Sequence, residues 1–229
     1  MNVIFIADFF AEDILGGGEL NNHELIQMLE KDDIPVKKIH SHLVTKNFIE
    51  QNKNSKFIVA NFVNLLHDCI VALYSKEYVI YEHDHKYLIT RDPSLFEDFL
   101  APKEFIINHE FYKRANAVLC QSQFHLDIIK KNLNIDNLIN LSGNLWSEDS
   151  LNIMLSLSDL SKSETCAIMD SPIEHKNTRE AVMYCQYKKR PFKLIQSEDY
   201  KQFLHLMGEN KTFVFFPKTP DTLSRIVVE

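Results

Sequence analysis

The fold is decided near the N-terminus by the apolar run Val3-Ile4-Phe5-Ile6-Ala7-Asp8-Phe9-Phe10 and by the glycine run Gly16-Gly17-Gly18-Glu19 that follows it. The first stretch predicts a buried strand, and the residues after Gly18 are typical of a helix. A strand, a glycine turn and a helix N-terminus together make a site for an anion of phosphate size, because the first helical N–H groups are free and glycine permits close approach. The chain has five glycines in 229 residues, so this run holds more than half of them.

Short apolar runs alternate with amphipathic stretches further along the chain, which is typical of an α/β protein with a parallel sheet. Ser122 is expected to cap the helix that follows it. The pattern predicts a Rossmann-like domain over residues 1–145. Its predicted strands are 2–9, 36–41, 56–61, 78–83, 117–121 and 137–142, and its predicted helices are 18–31, 45–53, 63–76, 94–115 and 123–133.

The pattern changes after Gly143. Residues 146–164 are rich in Ser, Asp and Leu, and we interpret them as a junction. Residues 165–229 then predict a second, partial Rossmann-like domain of about three strands. Its predicted elements are strand 165–170, helix 178–189, strand 192–196, helix 199–208, strand 212–216 and a helix beginning near Thr222. We therefore expect two Rossmann-like parallel-sheet units, the second one incomplete.

Composition narrows the class of protein. The formal net charge of −7 argues against a nucleic-acid partner, because phosphate binding usually leaves a basic face. The four cysteines lie in apolar patterns without a CxxC pair and are interpreted as buried free thiols. No basic leader and no stretch of about 20 apolar residues is found, so a cytoplasmic protein without a transmembrane segment is expected, with a peripheral membrane contact left open.

Two polar loops follow predicted strands and are candidate sites. The first is Tyr81-Glu82-His83-Asp84-His85-Lys86, where His83 and His85 could bind a metal, His83 could face a sugar, or the loop could be merely polar. The second is Asp170-Ser171-Pro172-Ile173-Glu174-His175-Lys176-Asn177, at the carboxyl end of a strand, where open α/β sheets bind ligands. The sequence places no third ligand beside His83 and His85, so no metal is expected.

The order of these motifs resembles the nucleotide-sugar glycosyltransferases of the GT-B superfamily, in particular the retaining group, whose two Rossmann-like domains face each other across a cleft. The resemblance is carried by the glycine run, by Glu82-His83-Asp84, by Lys176, and by Asp221 and Glu229, which have the family's acidic spacing with Asp in place of the usual first Glu. It implies that the chain transfers a hexose from a nucleotide diphosphate sugar to an acceptor, with retention of configuration.

The resemblance also implies roles for residues. Catalytic roles fall to His83, to Lys176 as the cation that stabilises the leaving diphosphate, and to Asp221, which would meet hydroxyls of the donor sugar. Gly16, Gly17, Gly18 and Arg179 would contact the donor, with Arg179 in place of an absent family arginine, and Glu229 would bind the ribose hydroxyls. No cofactor is implied, because the nucleotide-sugar donor is itself a substrate.

The acceptor would lie on the first domain and be a glycan, a lipid or a protein. The chain is expected to be an enzyme, a hexosyltransferase, if its second domain is functional. The alternative is a truncated, non-catalytic GT-B-like binding module. A dinucleotide-dependent Rossmann enzyme is disfavoured, because the glycine run lacks the G-x-G-x-x-G spacing and no acidic residue ends the second strand.

Overall fold

The computed structural model describes residues 2–219 and 222–228. The chain forms two compact units, and the division in sequence falls between Leu145 and Trp146. Each unit is built on its own sheet, and all paired strands within these sheets are parallel.

The first unit contains a six-stranded sheet. Its strands are β1 (Val3–Ala7), β2 (Val36–His40), β3 (Lys56–Val59), β4 (Tyr78–Tyr81), β5 (Ala117–Cys120) and β6 (Leu138–Asn140). Each lies within its predicted range. The strand order is β2-β1-β3-β4-β5-β6, so the direction in which strands are added reverses between β1 and β3. Such a reversal is where open α/β sheets form a ligand crevice at the carboxyl ends of the strands.

The helices of the first unit cover both faces of this sheet. They are α1 (Gly17–Lys31), α2 (Lys46–Gln51), α3 (His67–Leu73), α4 (His109–Arg114) and α5 (Gln123–Leu133). Ser122 caps α5, as predicted, by accepting a hydrogen bond from the His125 backbone N–H.

The predicted long helix over residues 94–115 is wrong. The segment forms three single 3₁₀ turns and then α4. Pro102 lacks an N–H and disfavours helix in the residue before it. Asp98, Phe99 and Asn108 adopt positive φ angles, which also interrupt a right-handed helix.

Strand β1 is buried along its whole length. Ile4 and Ile6 pack on one face with residues of α2 and α3, whereas Phe5 and Ala7 pack on the other face with Ile26 of α1. This alternation follows from the two-residue period of a strand, and burial on both faces explains why the run is apolar without interruption.

The second unit contains a three-stranded sheet in the order β8-β7-β9, formed by β7 (Ser163–Met169), β8 (Phe192–Ile195) and β9 (Asn210–Phe213). Its helices are α6 (Glu148–Ser158), α7 (Thr178–Tyr187), α8 (Tyr200–Gly208) and α9 (Arg225–Val228). Helix α6 lies within the residues interpreted as a junction. Its N-terminus is capped by Ser147, and its Leu157 side chain packs so tightly on Gly208 of α8 that a Cβ there would lie 2.9 Å from it.

The four cysteines are buried free thiols, as predicted. Burial raises the pKa of Cys69 to about 11, so this thiol stays protonated at neutral pH. Among the helices of the described residues, none has the length and apolar character that a membrane crossing requires.

Candidate functional site

Four strands of the first unit end in buried or half-buried polar side chains at one edge of the sheet. Asp8 follows β1, Asn61 follows β3, Glu82 follows β4 and Gln121 follows β5. Because these strands are parallel, their carboxyl ends lie at the same edge. This edge includes the reversal between β1 and β3, and it is the candidate site of the first unit.

Asp8 connects the elements on either side of the reversal. Its carboxylate accepts hydrogen bonds from the backbone N–H groups of Val63 at 2.9 Å and Asn64 at 3.0 Å, and from the hydroxyl of Ser41. Asp8 thus holds the loops after β2 and β3 against the end of β1.

The glycine run begins α1 without any positive φ angle, because Gly16 is extended and helical geometry starts at Gly17. A Cβ at Gly16 would collide with the Glu19 carboxylate, which folds back over the first turn and accepts a hydrogen bond from its own backbone N–H. Asn61 donates a second hydrogen bond to this carboxylate at 2.9 Å. Burial raises the pKa of Glu19. A carboxylate of the chain itself therefore lies beside the helix N-terminus at which an anion site is predicted.

His83 lies directly against the glycine run. A Cβ at Gly18 would be 3.3 Å from the His83 ring, which is tighter than nine in ten real contacts of a Cβ. The His83 Nε2 atom is 2.7 Å from Oδ1 of Asn22 on α1, and its ring centroid is 4.2 Å from that of Tyr81. Burial, assisted by the Lys86 ammonium, lowers the pKa of His83 to about 3. At neutral pH the imidazole is uncharged and acts through hydrogen bonds.

A charged network lies behind His83. Lys86 is buried and donates to Glu82 at 2.9 Å and to Asp84 at 3.1 Å. Tyr112 donates to the other oxygen of Glu82, and Arg91 donates to Asp84. Burial raises the pKa of Glu82, although Lys86 acts in the opposite direction. Burial alone would raise the pKa of Asp84, but Lys86 and Arg91 lower it to about 2.

A cavity of about 300 Å³ opens beside Lys86 and Arg91. No carboxylate lines it among the residues that the structure describes, so its polar wall is cationic or neutral. Arg91 has a φ angle of 55°, a left-handed conformation that is unusual for a residue other than glycine. The lining residues are Phe62, Val63, Leu65, His67, Ile70, Lys86, Leu88, Ile89, Arg91, Ile107 and Asn108.

His83 and His85 do not share a partner. The Nδ1 atom of His85 lies 3.1 Å from the Tyr87 hydroxyl, and its ring packs edge-on against His125 at 5.1 Å. Within residues 2–219 and 222–228, no group of three or more His, Cys, Asp or Glu side chains is arranged to hold a metal ion. The geometry therefore gives the metal interpretation of this loop no support.

The second unit gathers cations at the carboxyl end of β7. Lys176 ends a 3₁₀ turn in the loop after this strand, and its ammonium lies 5.6 Å from the centroid of the Phe215 ring. Arg179 is exposed in the first turn of α7. Neither side chain has an ion-pair partner in the described part of the chain.

Hydrogen bonds join the loop of Lys176 to the segment after β9. The Asn177 side chain donates to the Phe216 carbonyl at 2.9 Å, and Lys218 pairs with Glu174 at 2.7 Å. That segment leads toward Asp221. Asp221 and Glu229, the two acidic residues predicted to bind the donor, lie outside the described residues.

The structure therefore brings Gly16, Gly18 and His83 together in the first unit, and it places Lys176 and Arg179 at one strand end in the second. Gly17 is the first residue of α1.

Sequence reasoning missed the amides beside this site. Asn21 and Gln121 both donate to Oδ1 of Asn144 at 2.8 Å, and Asn22 accepts from His83. The sequence signal for these amides was the pair Asn21 and Asn22 on the buried face of α1, where an amide without a hydrogen-bond partner would raise the free energy of the folded state.

No family model and no curated protein sequence matches the chain. Its fold, however, is similar to that of a solved α-glucosyltransferase, and the predicted α/β fold with two Rossmann-like parallel-sheet units is confirmed. The likeness is to an α-glucosyltransferase solved in complex with UDP and a 13-mer DNA containing an HMU base, with a TM-score of 0.51 and 11% identity. The match covers 86% of this chain and 57% of that chain. An α-glucosyltransferase in complex with UDP gives a TM-score of 0.49 at 12% identity, over 86% of this chain and 59% of that one.

The chain thus spans somewhat more than half the length of the solved structures it matches. The prediction that excluded nucleic acid as a partner is wrong, because the α-glucosyltransferase of similar fold holds DNA. The net charge of a whole chain is a poor guide when charge is uneven. Here nearly all of the acidic excess belongs to the first unit.

Proposed function

We propose that the chain is a glycosyltransferase, or the larger part of one, that moves a hexose from a nucleotide diphosphate sugar to an acceptor with retention of configuration. The single observation that carries the proposal is the pair of cations at the carboxyl end of β7, within a fold of this class. A diphosphate leaving group gains negative charge as the glycosidic bond breaks, and fixed cations stabilise that charge.

The second unit would bind the donor. Lys176 sits over the Phe215 ring without a carboxylate to neutralise it, so its ammonium is available to a phosphate. Arg179 and the N-terminus of the ten-residue helix α7 lie beside it and favour the same ligand charge. Asp221 would bind hydroxyls of the sugar and Glu229 those of the ribose.

The first unit would bind the acceptor and contact the sugar. His83 is neutral at physiological pH, so it would orient a hydroxyl by a hydrogen bond rather than carry charge. Gly16, Gly17 and Gly18 would let the sugar or acceptor approach the α1 backbone closely. Glu19 would accept a hydrogen bond from an incoming hydroxyl, since its carboxylate already lies there.

For the acceptor we propose DNA, beside the glycan, lipid and protein that the family resemblance leaves open. The reason is that the α-glucosyltransferase of similar fold was solved in complex with DNA.

The second candidate is a non-catalytic nucleotide-binding module. It is favoured by the described second sheet, which has three strands, whereas doubly wound nucleotide-binding domains commonly have more. Nucleotide binding without sugar transfer would identify this case.

Thermal stabilisation by UDP, GDP, ADP and their sugars, with NAD for comparison, tests the donor site, because a ligand that binds the folded state raises the melting temperature. One nucleotide diphosphate should stabilise the chain. Lys176→Ala should weaken its binding by about 1 to 3 kcal/mol, which is the scale of a hydrogen bond to a charged group.

The matched control is Lys211→Ala, because Lys211 is the second residue of β9, near the opposite edge of the same sheet, and pairs with Glu164. The affinity of the Lys211→Ala variant for the nucleotide diphosphate should equal that of the wild type. Stabilisation by NAD alone, or an equal loss of affinity in both variants, would contradict the proposed site.

A further inference from the structure

The second unit has a basic surface at the edge opposite to the proposed donor site. Its three strands are parallel, so their first residues share one edge of the sheet. Lys162 precedes β7, and Lys188, Lys189 and Arg190 form the turn between α7 and β8. We call these four residues, together with Tyr187, the basic edge.

Two carboxylates near this edge are neutralised by lysines, whereas Asp159 at the end of α6 has no ion-pair partner in residues 2–219 or 222–228. Glu209 pairs with Lys193 at 2.7 Å, and Glu164 pairs with Lys211 at 3.0 Å. Lys188, Lys189 and Arg190 are exposed, and no carboxylate in residues 2–219 or 222–228 pairs with them.

Lys162 donates to the Gly208 carbonyl at 3.1 Å, which leaves its charge uncompensated as well. The basic edge therefore keeps a local positive charge in a chain whose net charge is −7.

An aromatic ring lies among these cations. Tyr187 is 80% exposed, although a tyrosine side chain usually buries its ring. The Lys188 ammonium lies 5.2 Å from the ring centroid. An exposed ring next to unpaired cations matches the surfaces that bind single-stranded nucleic acid, where a base stacks on the aromatic face and phosphates contact Lys and Arg.

We infer that the basic edge binds the backbone of a single-stranded or locally unpaired nucleic acid, with Tyr187 stacking on a base. An anionic membrane is the other polyanion to consider. Binding to a membrane interface needs a continuous apolar face beside the cations. Helix α7 instead directs Ala181 and Cys185 into the core and ends at the surface in charged residues.

This surface is separate from the donor site, because the two lie at opposite ends of β7. It would hold a polymeric acceptor on the protein and leave nucleotide-sugar binding unaffected. The choice of nucleic acid rests on the acceptor class proposed above, whereas the surface itself rests on charge and exposure.

Fluorescence anisotropy with labelled oligonucleotides of about 20 residues, single-stranded and duplex, tests the inference over a range of salt concentrations. The test variant is Lys188→Ala/Lys189→Ala/Arg190→Ala. The control is Lys53→Ala/Lys103→Ala/Lys113→Ala, which removes the same charge from exposed positions of the first unit.

The test variant should bind single-stranded DNA at least about tenfold more weakly, and the slope of log Kd against log salt should fall by about 2, since each lost phosphate contact removes about 0.7. The Kd of the control variant for single-stranded DNA should stay within about twofold of the wild-type value. Tyr187→Ala should weaken binding to the single strand more than to the duplex.

Three results would overturn the inference: absence of DNA binding at low salt, equal losses in the two triple variants, or tighter binding to phosphatidylserine vesicles than to DNA. Stabilisation by the nucleotide diphosphate, measured on the same test variant, should match the wild type. A failure of the basic edge is thereby distinguished from a failure of the donor site.

Discussion

Gly18 and His83 show at the scale of single residues how two distant motifs form one site. A Cβ at Gly18 would lie only 3.3 Å from the His83 ring, so glycine at the second position of α1 relieves this contact even though its backbone angles are ordinary for any residue. The contact also aims the imidazole at Asn22.

Gly18→Ala should displace the His83 ring and destabilise the first unit, because overpacking costs about 1 to 3 kcal/mol and the removal of a helical glycine offsets at most about 1 kcal/mol of this cost. Urea denaturation measures this loss. The control is Gly143→Ala, because a Cβ at Gly143 meets no atom within 4 Å and its φ angle is not positive. If both substitutions have the same effect, the tight contact of Gly18 with His83 does not constrain the site.

At the scale of elements, the loops after β2 and β3 are held against the end of β1 by one carboxylate. Asp8 accepts from two backbone N–H groups and one hydroxyl. The apolar run around Asp8 predicts a strand, but it does not predict which loops the Asp8 carboxylate binds.

Asp8→Asn should lower the free energy of unfolding by about 1.5 to 3 kcal/mol, because an amide nitrogen would face a backbone N–H and a charged acceptor would be lost. Amide hydrogen exchange at Val63 and Asn64 should accelerate. Asp127→Asn, at an exposed position of α5, serves as the control and should change neither quantity. Unchanged protection at Val63 and Asn64 in Asp8→Asn would show that the loop is held by other contacts.

At the scale of the whole molecule, the first unit contains histidines that are buried without charge. Burial lowers the pKa of His85 to about 4 and that of His125 well below its ordinary value. As pH falls below about 6.5, the unfolded chain binds protons at these imidazoles while the folded chain does not. The stability that these uncharged histidines contribute is therefore fully present above that pH. It is lost progressively as the pH falls toward their pKa values in the folded chain.

Each such histidine should contribute a slope of about 1.4 kcal/mol per pH unit between about pH 6 and pH 4. Glu19 and Glu82 act in the opposite sense in part of this range, because burial raises their pKa. The test is therefore a comparison by urea denaturation at several pH values. His125→Asn should have a shallower dependence than the wild type, and the exposed control His205→Asn should not. Parallel curves for all three proteins would contradict this account.

The sequence by itself determined the parallel α/β class, the six strands of the first unit, the Ser122 cap and the burial of the cysteines. These features depend on local periodicity, glycine and capping chemistry, all of which act over a few residues. The broken segment 94–115 and the helix α6 were missed because Pro102 and three left-handed residues outweigh an apolar pattern, and because serine-rich helices look like linkers.

Only the tertiary structure decided which polar residues meet. The contact of Gly18 with His83, the pairing of Lys86 with Glu82 and Asp84, and the separation of His83 from His85 depend on strand order and on burial. The basic edge likewise depends on the parallel sheet, which places the starts of three strands together. Two glutamates near these strand starts, Glu164 and Glu209, form ion pairs with lysines. Net charge is a sum over the chain, whereas recognition depends on where the charges lie after folding, and the sum alone therefore does not exclude a nucleic-acid partner.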